Sequence, residues 1–345
     1  METIFAITDY NGHFGSKWLS VPYRSGYNKT KLSSNFKSFG FKIEFIRPSE
    51  IQFSKAQWKG VRVLLTSSEE RGLRYKSYLE DIAFGLTECG AVLLPALEYL
   101  QAHENKIKSL ILQNLAIDDP IKVLKYQTFG TYEELEHLLT TQKLEFPCIV
   151  KKPDGSKGKG VYLAKNKAEL KKITKKISRN FNLFAWLKEN VRIYKHKGYK
   201  KTSIYSNKFL IQEFVPDLSC DWKVLIYGES IYILKRKVKS NDFRASGSGY
   251  GYQSGATSDF PMEFIEPLYQ FFLNLKVPNL SIDFGHDGTN GFIFEFQALY
   301  YGTSTQYKSK ELFKRANGEW KLEANESDQE SIFTSSIVEF IERNK

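Results

Sequence analysis

The sequence predicts an α/β chain built from two or three packed domains. Three observations predict it. Short apolar, β-branched runs recur between segments of helical apolar spacing. Glycines and prolines punctuate them. The 345 residues, 41% of them hydrophobic, can build more than one core.

The elements follow in order. "TIFAIT" (3–8) and "VRVLLTS" (61–67) read as strands, and "KSYLEDIAFGLTECG" as a helix stopped at Gly90. "AVLLP" is a further strand, so residues 1–103 form a small α/β domain with a largely parallel sheet. "HENKIKSLILQNLAI" is helical, with apolar positions 107, 110, 111 and 115. "IKVLKYQTFGTYEELEHLL" gives a strand, then Thr131 as the cap of a helix starting at Tyr132. Residues 171–208, basic and aromatic, read as a helix followed by a mobile insertion, either a solvated surface or a lid over a substrate. From 209 the chain is strand-rich: "KFLIQEFV", a hairpin turning at "YGES", a helix over about 262–275, and a second hairpin turning near "HDGTNG". The domains are thus 1–103, 104–208 and 209–345.

The composition sets bounds. No stretch approaches 18 uncharged apolar residues, so no membrane span is expected, and the N-terminus does not read as a signal peptide. Cys89, Cys148 and Cys220 are few and widely spaced, which argues for a reducing cytoplasm and against a cysteine metal cluster. The net charge of +11 implies an acidic partner.

Two sites carry chemistry. "FPCIVKKPDGSKGKGVYL" (146–163) is strand, loop, strand, with Gly155, Gly158 and Gly160 between lysines. Such a loop can turn its N–H groups onto a polyphosphate; it can also be a solvated basic turn. It lacks the spacing GxxxxGK[ST], and a strand follows where GxGxxG would need a helix. In "LSIDFGHDGTNGFIFEFQAL", Glu295 and Gln297 lie two apart on one strand face, and Asp283 lies on the other arm of the hairpin. These hard oxygen donors suit Mg²⁺. A surface cross-strand trio is the alternative, but so apolar a run predicts burial, where unpaired carboxylates are costly.

The order of these parts resembles the ATP-grasp carboxylate–amine ligases: glutathione synthetase, D-alanine–D-alanine ligase and the ribosomal-protein glutamate ligases. The resemblance covers roughly 104–306 and implies an ATP-grasp fold, two α+β subdomains clasping ATP, preceded by a small α/β domain. It assigns Lys106 of "HENK" and Lys151 as the ATP lysines, and Gly155, Ser156, Lys157, Gly158 and Gly160 as the phosphate-covering loop. "LIQEFV" is similar to the interdomain hinge, putting Gln212, Glu213, Phe214 and Val215 near adenine and Asp221 near the ribose. Arg236, with Arg244 and Ser246 of "DFRASGSG", would act at the phosphates and acyl group. Asp283, Glu295 and Gln297 match the metal hairpin, taking Mg²⁺ with Mn²⁺ as an alternative. Two positions depart from the family pattern. Gln297 replaces the usual asparagine, and Lys223 stands where an arginine is common and cannot form its bidentate fork.

The expected function is ATP- and Mg²⁺-dependent joining of a carboxylate to an amine through an acylphosphate, with an anionic substrate such as an acidic peptide, an amino acid or a uronic-acid-containing glycan. The rival readings are a kinase-like ATP-grasp phosphotransferase and a non-catalytic basic nucleic-acid-binding protein. The second leaves the acids at 283 and 295 unexplained. Homo-oligomerisation is left open.

Overall fold

A computed structural model describes residues 1–155, 158, 160–216, 218, 220–237, 252–253, 257–326 and 328–345. The chain divides into two compact units. One comprises residues 1–123 and the described residues from 218 onward; the other comprises the described residues of 124–217.

The first unit begins with a four-stranded parallel sheet in the order Phe41–Ile46, Glu2–Ile7, Arg62–Leu64, Val92–Leu94. The helices Lys29–Ser38 and Arg74–Glu88 bury their apolar positions, Leu32 and Phe36 on one, Leu79, Ile82, Ala83 and Leu86 on the other. Gly90 ends the second helix at φ 85°, a conformation that only glycine adopts without strain. The unit continues in a seven-stranded sheet. Its main path is Gly291–Gln297, Asn279–His286, Cys220–Tyr227, Ser230–Lys237, Glu311–Ala316, Glu319–Ala324, with antiparallel pairing throughout.

Strand alternation sorts this sheet's side chains by face. Trp222, Val224, Ile226, Ile231, Ile233, Ile282 and Phe284 pack against the helix Ile265–Asn274. On the opposite face, Leu225, Tyr227 and Tyr232 pack with Ile337, Val338 and Ile341 of the terminal helix Gln329–Arg343. Farther along the same strands that second face turns polar, at Asp221, Lys223, Arg236 and Asp283.

The second unit is a four-stranded antiparallel sheet in the order Tyr126–Phe129, Phe209–Glu213, Cys148–Lys151, Val161–Ala164. The helices Tyr132–Thr141 and Lys167–Ser178 contribute Tyr132, Leu135, Leu170 and Ile177 to one core with Phe129, Val150, Phe209 and Ile211. Thr131 caps the first of them as expected. Its side chain accepts from the Glu134 N–H, and Glu134 reaches back to the N–H groups of Gly130 and Thr131. The basic stretch differs from the expectation of one helix and an insertion: a second helix, Leu183–Lys195, follows, capped by Asn182. None of its residues is buried, so nothing in core packing announced it. No described helix is long and apolar enough to cross a membrane.

Candidate functional site

In the first unit, the two hairpins place charged residues side by side. Asp283 pairs in register with Glu295 on one side and with Lys223 on the other, while Asp221 pairs with Arg236. Lys223 donates to Asp283 at 2.7 Å. Arg236 donates through Nε to Asp221 Oδ1 at 3.1 Å, reaches the second Asp221 oxygen, and lies 3.1 Å from Asp283 Oδ1. Glu295 is met by Lys106 Nζ at 3.5 Å. Lys106 opens the helix Lys106–Ala116, held there by the Asn105 cap. Gln297 lies opposite Ser281, two residues along from Glu295 and so on the same side of the strand.

The two aspartates share one guanidinium and respond differently. Burial pushes the Asp221 carboxyl up to about 7, with Arg236 opposing and the Asp283 charge adding to it. Burial also acts on Asp283, but the charges of Arg236 and Lys223 outweigh it and hold that carboxyl at about 2. Asp283 therefore keeps its charge at neutral pH, and Asp221 holds its proton more tightly.

In the second unit, Ile149 lies opposite Gln212 and Lys151 opposite Leu210, so Lys151 and Gln212 share the sheet face turned away from the helices. Gln212 is 2% exposed, and its Nε2 has no hydrogen-bond partner among the described residues. The Glu213 N–H is taken by the Lys125 carbonyl at 2.8 Å. Beyond Lys151, the backbone at Gly155, Gly158 and Gly160 takes φ of 109°, 70° and 84°, values that side-chain-bearing residues rarely adopt. The loop closes through Lys152 N–H on the Gly160 carbonyl at 2.9 Å.

Residues 103–255 match the model of the RimK-like ATP-grasp domain. Across the chain the backbone is similar to several solved structures. D-cycloserine synthetase DcsG aligns with a TM-score of 0.53 at 9% identity, covering 99% of this chain and 100% of that one. The macrocyclase MdnC from Microcystis aeruginosa MRC, solved with its precursor peptide MdnA, gives 0.51 at 9% identity over 97% and 99%. The ATP-grasp ligase PsnB, solved with minimal precursor, Mg and ADP, gives 0.50 at 10% identity over 98% and 97%. The chain has the ATP-grasp fold. No curated protein sequence matches it.

Within this fold the first unit brings together Lys106, Asp221, Arg236, Asp283 and Glu295, with Gln297 beside them on its strand. The second brings together Lys151 and Gln212, with Glu213, Phe214 and Val215 at the end of the same strand. Ser156, Lys157, Arg244 and Ser246 lie outside the described residues. Asp221 is 0% exposed and faces Arg236, so its carboxylate is not turned to solvent. The sequence marks Lys223 only as a departure from the family pattern; in the fold it lies 2.7 Å from Asp283, closer than Arg236 at 3.1 Å. The signal lay in the alternation of "CDWK", which puts Asp221 and Lys223 on one face. The metal assignment fits these residues. Asp283 and Glu295 offer carboxylate oxygens directly across one antiparallel pair, Gln297 adds an amide oxygen on that side, and hard oxygen donors suit Mg²⁺. Among the described residues, the orphaned buried Gln212 Nε2 fits a hydrogen-bonding ligand in the other unit.

Proposed function

We propose that the protein is an ATP- and Mg²⁺-dependent ligase that joins a carboxylate to an amine through an acylphosphate. The observation that carries this reading is the face-to-face placement of Asp283 and Glu295 on one antiparallel pair, amid Lys106, Lys223 and Arg236, in a chain with the ATP-grasp fold. Phosphoryl transfer to a carboxylate requires positioning and charge neutralisation more than covalent help from side chains. Asp283, Glu295 and Gln297 would hold Mg²⁺, which supplies charge neutralisation at the phosphates. Lys106 and Lys151 would meet the phosphate oxygens, and the glycine loop would cover them and exclude water from the acylphosphate. Arg236, and Arg244 and Ser246 with it, would stabilise charge on the transferring group and on the tetrahedral intermediate formed when the amine attacks. Gln212, Glu213, Phe214 and Val215 would line the adenine, and Asp221 would act near the ribose through Arg236.

The net charge of +11 favours an anionic substrate, an acidic peptide or amino acid before a neutral one. The test is incubation with ATP, Mg²⁺, pooled amino acids and candidate carboxylates, following phosphate release and new masses. A new amide mass with one phosphate released per bond supports the ligase. A stable phosphoester in its place identifies a phosphotransferase and overturns it.

A further inference from the structure

Outside those carboxylates, the first unit holds a second cluster of metal-ligating side chains. Glu69 lies in the segment that leaves the carboxyl end of the parallel strand Arg62–Leu64, where open α/β sheets bind ligands. His103 and Glu104 follow the helix Leu97–Ala102. One donor atom from each of the three residues lies within 4.8 Å of the others. His103 is 3% exposed, its Nδ1 is 2.8 Å from Ser67 Oγ, and its Nε2 has no hydrogen-bond partner among the described residues. That orphaned nitrogen is 4.0 Å from Glu69 Oε1.

We propose that Glu69, His103 and Glu104 form a binding site for a divalent transition metal of the zinc class, made of residues distinct from Asp283 and Glu295. A Nδ1–H that donates to Ser67 leaves a lone pair on Nε2, 4.0 Å from the Glu69 carboxylate. Buried and unpaired, such an atom is costly, and a cation held beside it satisfies it. One imidazole nitrogen and two carboxylate oxygens are a zinc donor set; the nitrogen disfavours Mg²⁺ and Ca²⁺. Ser67 supplies the outer contact that orients a ligating histidine. Bonds of about 2.0–2.2 Å require donors about 3.4 Å apart, a closure of about 1 Å. Glu69 can supply it, because its side chain is 41% exposed. Three protein donors leave a fourth position for water or a substrate carboxylate.

The test does not depend on the ligase reading. Chelator-treated protein is titrated with Zn²⁺ in excess Mg²⁺, with a chromophoric zinc indicator as competitor. One equivalent should bind. Glu69→Gln and Glu104→Gln should each weaken it by about tenfold or more at unchanged melting temperature, and His103→Gln should abolish it. Glu295→Gln should leave it unchanged. The proposal is overturned if no stoichiometric zinc binds, if Glu69→Gln and Glu104→Gln bind it as tightly as the parent, or if Glu295→Gln is the variant that loses it.

Discussion

Asp283 and Glu295 stand directly across the hairpin, yet each faces different cations: Lys223 and Arg236 for the first, Lys106 for the second. Both acids were legible in the sequence, because strand alternation and an apolar flank predict a buried face. Their cationic partners were not, because the register that puts Asp283 beside Lys223 joins residues 60 apart in sequence. Under the proposed function, Glu295→Gln keeps shape and hydrogen bonding but removes the charge. Mg²⁺-dependent turnover should fall by roughly 100-fold or more, the scale of losing a principal charge-stabilising group. The fold should survive, since Glu295 is partly exposed. Steady-state rates across a Mg²⁺ titration, with circular dichroism as the folding control, check both halves.

At the scale of elements, local signals worked where a cap or a turn closes within a few residues. Thr131 and Glu134 form the reciprocal cap of Tyr132–Thr141, and Thr131→Ala should cost about 1 kcal/mol of stability, read from urea unfolding midpoints. Asp287 likewise shapes the hairpin that carries Asp283 and Glu295, its carboxylate accepting from the N–H groups of Thr289 and Asn290. Those backbone hydrogen bonds hold it down to about 2. A depressed carboxyl stabilises above its unfolded value near 4, and the benefit is lost as pH falls toward 2. Asp287→Asn should therefore narrow the stability difference between pH 7 and pH 2 in acid-unfolding curves. The helix Leu183–Lys195 carries apolar residues at helical spacing, Phe184, Leu187, Val191 and Tyr194, besides the Asn182 cap, but these side chains stay exposed and the surrounding basic run reads as an insertion.

At the scale of the molecule, contacts distant in sequence hold the first unit together. Glu330 is fully buried, and it accepts from Lys17 Nζ at 2.6 Å and from the Asn28 N–H at 2.9 Å. Lys17→Met removes the counter-charge and leaves a buried carboxylate. It should destabilise by about 3–5 kcal/mol, visible as a lower melting temperature. In the second unit, the basic run around Lys195, Lys197, Lys200 and Lys201 tests the anionic-substrate reading. Changing all four to Ser should raise KM for the acidic substrate several-fold and leave KM for ATP nearly unchanged, and high ionic strength should shift the parent the same way. Equal constants in parent and variant would make the run a solvated face.

The sequence alone determined the alternation of strands and helices, the Thr131 cap, both hairpin turns, the glycine loop and the acids at 283 and 295. Each is written within a few neighbouring residues, through periodicity, capping or the φ values that glycine permits. Tertiary structure decided that Phe209–Glu213 joins the sheet of Cys148–Lys151, that Asp221 and Asp283 share Arg236, and that His103 comes within 4.0 Å of Glu69. Strand order, ion-pair partners and burial depend on which distant segments pack together. Local pattern carries no record of that choice, because each segment would show the same periodicity beside any apolar neighbour.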